Sequence, residues 1–271
     1  MKQFIFHKEP DFSQGDGEGI VRLTDNDYHY LVNVRRLAIG EFFPALLPSG
    51  KETLVQVISI ERGVLTGKCG DAENITHGQE NNLPPIILFQ ALPKGDKMDL
   101  IVRQAAEGGI TEIVPFVSEF SVAKPSAEKG QKFLRWERII KEARQQSGSK
   151  TATALHQPLT INELFNYWKK LQEKTTINSL GLLFHHQGLE QKVLHEYLNS
   201  MPSFVTFAIG PEGGFSEKEV SLFLENGFKP LTIGDTVLRT ETAALYCAAT
   251  VRILLLEKDS WELKQAKSNR E

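Results

Sequence analysis

The chain has 271 residues, 41% of them apolar and 24% charged, with a formal net charge of −3 at pH 7. This is the composition of a folded, water-soluble protein with room for two domains. It excludes a disordered chain, a fibrous repeat and a globally cationic nucleic-acid binder. No apolar run approaches the roughly 20 residues of a membrane-spanning helix, and the opening Met1 to Lys8 is too short for a secretory signal, so a cytoplasmic protein with no membrane partner is expected. Cys69 and Cys247 lie far apart and outside any C-x-x-C unit, as free thiols of a reducing compartment do.

Residues 1–75 read as a small β-rich domain. Strands are expected at 2–6, 19–23, 41–47, 53–61 and 64–68, punctuated by Pro48-Ser49-Gly50 and Arg62-Gly63. One helix interrupts them, capped by Thr24 or Asp25 and apolar at Tyr28, Leu31, Val32 and Leu37. Five short strands with one helix suggest a small barrel. Residues 70–84 are polar and aperiodic, the best linker in the chain, and the second domain is placed at 76–271. There, strands at 86–91, 110–116, 180–184, 203–209 and 229–233 alternate with helices at 96–107, 129–146, 161–170, 189–198, 217–226 and 241–257. That alternation predicts an α/β domain with a mainly parallel sheet. The last helix is apolar nearly all round and must be covered by the sheet, with or without a second subunit, while 258–271 reads as a frayed tail.

Two loops stand out. The apolar run 203–209 leads into Gly210-Pro211-Glu212-Gly213-Gly214-Phe215-Ser216, after which Ser216 and Glu219 form a capping box and Phe215 and Val220 a hydrophobic staple. Three glycines in five residues exceed what a strand-to-helix turn requires; they suit either a tight connection or close backbone approach to a ligand. About 20 residues on, the next strand enters Gly234-Asp235-Thr236-Val237-Leu238-Arg239-Thr240-Glu241-Thr242-Ala243. Two such loops at successive strand ends can form two walls of one pocket. Neither has the spacing of a P-loop or a dinucleotide fingerprint. Between Lys124 and Lys150 eight bases stand against three acids, either a phosphate-facing patch or the solvated face of a helix. The adjacent His185 and His186 point to opposite faces and cannot share one ion, and no Cys/His cluster supports a metal site.

The two loops, together with Ala91-Leu92-Pro93-Lys94-Gly95-Asp96-Lys97-Met98-Asp99 and with Arg135-Trp136 and Glu142-Ala143-Arg144-Gln145-Gln146-Ser147, resemble the RsmE family of RNA methyltransferases in the SPOUT superfamily. The likeness covers nearly the whole chain in four ordered motifs. It implies an N-terminal PUA-like β-barrel and a C-terminal SPOUT domain with a deep trefoil knot, S-adenosylmethionine as cofactor, and a homodimer. The implied reaction is methylation of N3 of uridine 1498 in 16S rRNA, in the decoding region of the small ribosomal subunit. Competing readings are another SPOUT RNA methyltransferase and a non-enzymatic ribosome-assembly factor.

For cofactor binding the resemblance points to Leu183, Ile209, Gly210, Pro211, Gly213, Gly214, Ile233, Gly234, Leu238, Thr240, Thr242 and Ala243. The weakly acidic N3 proton of an unpaired uridine calls for a general base or a stabilising cation. Arg239 is the expected cation, and Glu212 or Glu241 the base; alternatively Glu212 braces its loop, Glu241 answers the helix dipole and Thr240 caps the last helix. Lys94, Lys97, Arg103, Arg135, Arg138 and Arg144 are the expected RNA phosphate contacts. Gly108 and Ser149-Lys150 depart from the family pattern outside the cofactor loops.

Overall fold

The structure, a computed structural model, describes residues 4–6, 19–70, 83–121, 129–175, 178–185, 189–232 and 234–268, with the side chains of the last helix as far as Glu257. The chain falls into two compact units, Met1–Glu80 with Arg144–Ala152, and Asn81–Ala143 with Thr153–Glu271.

The first unit is a curled sheet of five strands, β1 (Phe4–Ile5), β2 (Gly19–Leu23), β3 (Phe42–Leu46), β4 (Glu52–Glu61) and β5 (Val64–Gly70), in the order β1-β3-β4-β5-β2. Every pairing is antiparallel except β1 with β3, and a bulge between Val57 and Ser59 increases the twist of β4. Inward residues of alternating strands (Val21, Leu23, Phe43, Ala45, Val55, Val57, Leu65) close over Phe4 and Leu31. The single helix is shorter and wider than its apolar pattern suggests. α1 (Asp25–Tyr28) widens into a π-helical turn, His29–Val34, and the Thr24 side chain donates to Asp25 Oδ2 instead of capping α1. Residues 144–152 join this unit although far from it in sequence: Lys150 pairs with Glu52 at 3.0 Å, and the Lys150 carbonyl lies so close to Gly50 that a Cβ there would clash.

In the second unit, β6 (Ile86–Ala91), α2 (Lys97–Glu107), β7 (Glu112–Val117), α3 (Lys129–Ser147), β8 (Ala154–Leu155), β9 (Leu159–Thr160), α4 (Ile161–Glu173), β10 (Leu180–Phe184), α5 (Leu194–Tyr197), β11 (Val205–Ile209), α6 (Glu217–Glu225), β12 (Lys229–Leu231) and α7 (Thr240–Ser268) follow in turn. The sheet order is β12-β10-β11-β6-β7-β8, with β9 also on β7, and every pair is parallel. Both faces are covered, which is why the strands read as unbroken apolar runs. The period of two then sorts them: Ile86, Leu88, Ile113, Leu182, Val205 and Phe207 pack with α2, α3 and α7, whereas Ile87, Phe89, Val114, Phe116, Leu183 and Ala208 pack with α4 and α6.

Several elements differ from the sequence reading. The 189–198 helix shrinks to the one turn of α5, the two-residue strands β8 and β9 were too short to show a period, and α7 continues to Ser268 rather than fraying after 257. Asp96 stands at the N-cap of α2 without a side-chain cap bond. Thr160 and Glu163 instead make a full capping box at the start of α4. Among the described residues no helix is long and apolar enough to cross a membrane.

Candidate active site

Because the strands run parallel, their carboxyl ends share one edge, where ligands of open α/β sheets bind. A cavity of about 730 Å³ opens there, bounded by the end of β10 (Phe184, His185), the loop after β11, the loop after β12 and the first turns of α7. Its size is that of a small-molecule site. The two glycine loops do face each other, but not from neighbouring strands: β10 lies between β11 and β12, and its end contributes Phe184 and His185. These two, with Leu231 and Thr232, are lining residues that sequence reasoning missed, whereas Asp235, Thr236 and Val237 lie in the loop read as one wall. The signal available was that 180–184 is a parallel strand and must end at the same edge.

Glycine is required in the first loop because the loop folds on itself. A Cβ at Gly210 would stand 3.1 Å from the Gly214 carbonyl carbon, one at Gly213 would stand 3.0 Å from Phe120 Cβ, and Gly214 has φ +71°. The loop ends at α6, where Ser216 Oγ accepts from the Glu219 amide at 3.3 Å and Glu219 Oε2 accepts from the Ser216 amide at 3.0 Å. The same buried carboxylate takes the Glu119 amide at 2.9 Å and Ser118 Oγ at 3.3 Å, so one side chain fixes the turn after β7 to the start of α6. In the second loop Gly234 also has φ +71°, and nothing lies within 4 Å of the place a Cβ would take.

A short chain of bonds ties the two loops together. Gln90, fully buried at the end of β6, donates through Nε2 to Thr240 Oγ1 at 3.0 Å, and that hydroxyl donates to the Gly210 carbonyl at 2.7 Å. Thr240 therefore bolts the first turn of α7 to the loop after β11 instead of capping α7 with its hydroxyl. From there α7 packs against α2, β6 and β11, well away from the edge strand that precedes it.

Arg239 is exposed and lines the cavity, and its guanidinium makes no hydrogen bond or ion pair among the described residues. Glu212 also lines the cavity, but its carboxylate is engaged by Lys97 Nζ and by the Lys94 amide at 3.2 Å. Desolvation works against its ionisation; the bonds from Lys97 and from the amides of Glu212 and Lys94 outweigh it, so the carboxyl stays below its ordinary range. Such a group is a poor proton acceptor and a good brace. Glu241 is half-buried on the first turn of α7 and does not line the cavity; its Oε2 is shielded from water and has no hydrogen-bond partner among the described residues.

Of the expected cofactor residues, Ile209, Gly210, Pro211, Gly213, Gly214, Gly234, Leu238, Thr240 and Ala243 line the cavity. Leu183 does not: it is fully buried on the opposite face, among the α4 and α6 contacts, because strand alternation turns it away from the side of Leu182. Thr242 is exposed on α7 away from the cavity, and Ile233 lies outside the described residues.

The expected RNA contacts divide. Lys94 and Arg103 are exposed. Lys97 is held by Glu212, Arg135 by Asp99, which also accepts from Trp136 Nε1 at 3.0 Å, and Arg138 stands 3.8 Å from Glu142. Arg144 is not at the surface: it is 7% exposed, and burial lowers its pKa. Four residues after Ile140, it falls on the same buried stripe as Trp136, Ile140 and Ala143, so helical phase overrides residue type. Among the described residues no group of three or more His, Cys, Asp or Glu converges on a metal-sized site.

Residues 79–252 match the RNA methyltransferase domain family, and residues 23–68 match the RNA methyltransferase PUA domain. The chain is 32% identical over 241 residues to ribosomal RNA small subunit methyltransferase E of Synechocystis, covering 88% of this chain and 74% of that protein. It is also 32% identical over 234 residues to ribosomal RNA small subunit methyltransferase E 2 of Borreliella burgdorferi, covering 84% and 88%. In fold it resembles the crystal structure of a ribosomal RNA small subunit methyltransferase E from Neisseria gonorrhoeae bound to S-adenosyl methionine. There the TM-score is 0.75 at 24% identity, with 94% of this chain and 98% of the other covered.

Proposed function

The chain belongs to the ribosomal RNA small subunit methyltransferase E family, and on that premise we propose that it transfers a methyl group from S-adenosylmethionine to N3 of uridine 1498 in 16S rRNA. The observation that carries the reading is the cavity at the carboxyl ends of β10, β11 and β12, with the exposed Arg239, unpaired among the described residues, at its wall. The residues suit the cofactor. Ile209, Leu238 and Ala243 offer apolar contact, Gly210, Gly214 and Gly234 leave backbone groups approachable, and the volume accommodates a nucleoside-sized ligand. When bound, S-adenosylmethionine supplies an electrophilic methyl group.

What the chain must add is position and charge. Most of the rate comes from holding donor and acceptor in line, and the bolt from Gln90 through Thr240 to Gly210 keeps the two loops in register. As N3 of the unpaired uracil loses its proton, negative charge spreads over the ring; Arg239 is the cation placed to stabilise it. Of the two expected bases, Glu212 supports the loop and Glu241 stands off the cavity wall, so the charge of Arg239 carries this step. Lys94 and Arg103 supply exposed charge for the RNA backbone. The return of α7 from the edge strand to the centre of the sheet supports a trefoil knot. Its uncovered apolar side, Leu245, Tyr246, Ile253 and Leu256, supports a homodimer, and the substrate places the protein in the cytoplasm.

The test is transfer of labelled methyl to small ribosomal subunits lacking the modification, followed by nucleoside analysis. Label in N3-methyluridine is the expected result. Label in another nucleoside would remove the substrate assignment, and no cofactor binding by calorimetry would remove the activity altogether.

A further inference from the structure

A second groove, of about 440 Å³, lies beside the cavity and shares Gly213 and Phe215 with it. Its far side is the turn after β7, and here stands Phe120, 46% exposed. Covering such a ring with another flat apolar surface is favourable. This one is held still. Ser121 donates its amide to the Ser118 carbonyl at 3.0 Å, and its hydroxyl accepts from the Ser118 amide at 3.1 Å. The buried Glu219 carboxylate takes the Glu119 amide and the Ser118 hydroxyl. The ring is seated against the backbone of Gly213, whose missing Cβ makes the space for it. A fixed, exposed ring at the rim of a methyl-transfer site is the arrangement on which an unpaired nucleobase stacks.

We propose that Phe120 is a stacking platform for an unpaired base of the RNA, next to the nucleotide that enters the cavity. The inference rests on the methyltransferase reading above. Among the described residues a base fits the groove better than a phosphate does, because two lining carboxylates, Glu119 and Glu217, stand against one lining cation, Lys218; both carboxylates repel backbone and can accept from an exocyclic amine. Continuity with the cavity makes RNA the occupant, since a uridine presented at N3 must be unpaired and brings its adjoining nucleotides to the rim.

The test compares Phe120→Ala, Phe120→Leu and Phe120→Trp in the full chain, with small ribosomal subunits as substrate. Leucine keeps bulk against Gly213 but has no π face. The expected result is that alanine and leucine both raise KM for the subunit by about 5- to 100-fold, with the Kd for S-adenosylmethionine unchanged and tryptophan restoring KM. Wild-type behaviour of Phe120→Leu would overturn the proposal, leaving the ring as filler. So would a parallel loss of cofactor affinity, which would make it a buttress for Gly213, or a shift of oligomeric state in sedimentation, which would assign the groove to a second copy. If the wild-type protein methylates no RNA, the functional reading fails separately. Quenching of a single-stranded 2-aminopurine oligoribonucleotide, lost in Phe120→Leu, then decides the stacking on its own.

Discussion

Replacing Thr240 with valine keeps the shape of a side chain that is 4% exposed and removes only its hydroxyl. That hydroxyl accepts from Gln90 at 3.0 Å and donates to Gly210 at 2.7 Å. Gln90 Nε2 retains the Ala91 carbonyl at 2.9 Å, so its loss is partial, whereas the Gly210 carbonyl, at the cavity wall, loses its hydroxyl partner. Loss of a hydroxyl that makes two hydrogen bonds places the cost at about 1 to 3 kcal/mol. Urea denaturation at fixed protein concentration and saturating reductant would read this as a lower midpoint at unchanged slope. Thr240→Ser, which keeps both bonds and loses one methyl, should cost clearly less. Because the same bond holds the loop after β11 against α7, cofactor affinity should fall about tenfold, the equivalent of roughly 1.4 kcal/mol. A Thr240→Val protein as stable as wild type, with the same cofactor Kd, would refute the claim that this bolt holds the site together.

Four other outcomes can be checked. Arg239→Ala should lower kcat by about 10²- to 10³-fold with little change in cofactor Kd, as expected for a group that meets charge developing in the reaction; calorimetry and single-turnover assays separate the two. Glu112 accepts from His156 Nε2 at 3.0 Å and from the Tyr167 hydroxyl; the His156 bond, with the Tyr167 bond and against desolvation, lowers its pKa from 4.5. Its contribution is therefore complete above the ordinary carboxylate range and lost as pH falls through the lower folded value, so Tyr167→Phe should flatten the acid limb of the unfolding profile, and parallel profiles would exclude this. Burial pushes the Cys69 thiol up to about 11 and raises Cys247 as well, so both should resist a thiol reagent until the chain unfolds. Leu245→Glu with Ile253→Glu should convert a dimer to monomers in sedimentation, since both lie on the uncovered side of α7.

The parts legible in sequence were those set by local pattern. The capping box and staple at Ser216 were read from four residues, and Phe215 and Val220 are indeed buried in one cluster. The parallel sheet followed from the alternation of strands with helices. What could not be read depends on partners far along the chain. Nothing near Gln90 announces that it meets Thr240, nor does Glu212 reveal that Lys94 and Lys97 will occupy it. Arg144 misled because an arginine is taken for surface, though its phase on α3 places it with Ile140. Strand order is likewise non-local: that β10 separates β11 from β12 decides which side chains floor the cavity.

The bolt between Gln90 and Thr240 spans 150 positions, and this gives the site a history as well as a shape. At about 5–20 residues per second of synthesis, roughly 10–30 seconds separate the appearance of one partner from the other. For most of that interval β10, β11 and β12 have yet to be made, and the loop after β11 precedes the residue that holds it by 30 positions. Closure of the chamber that takes the methyl donor must therefore wait until α7 has been made and has docked.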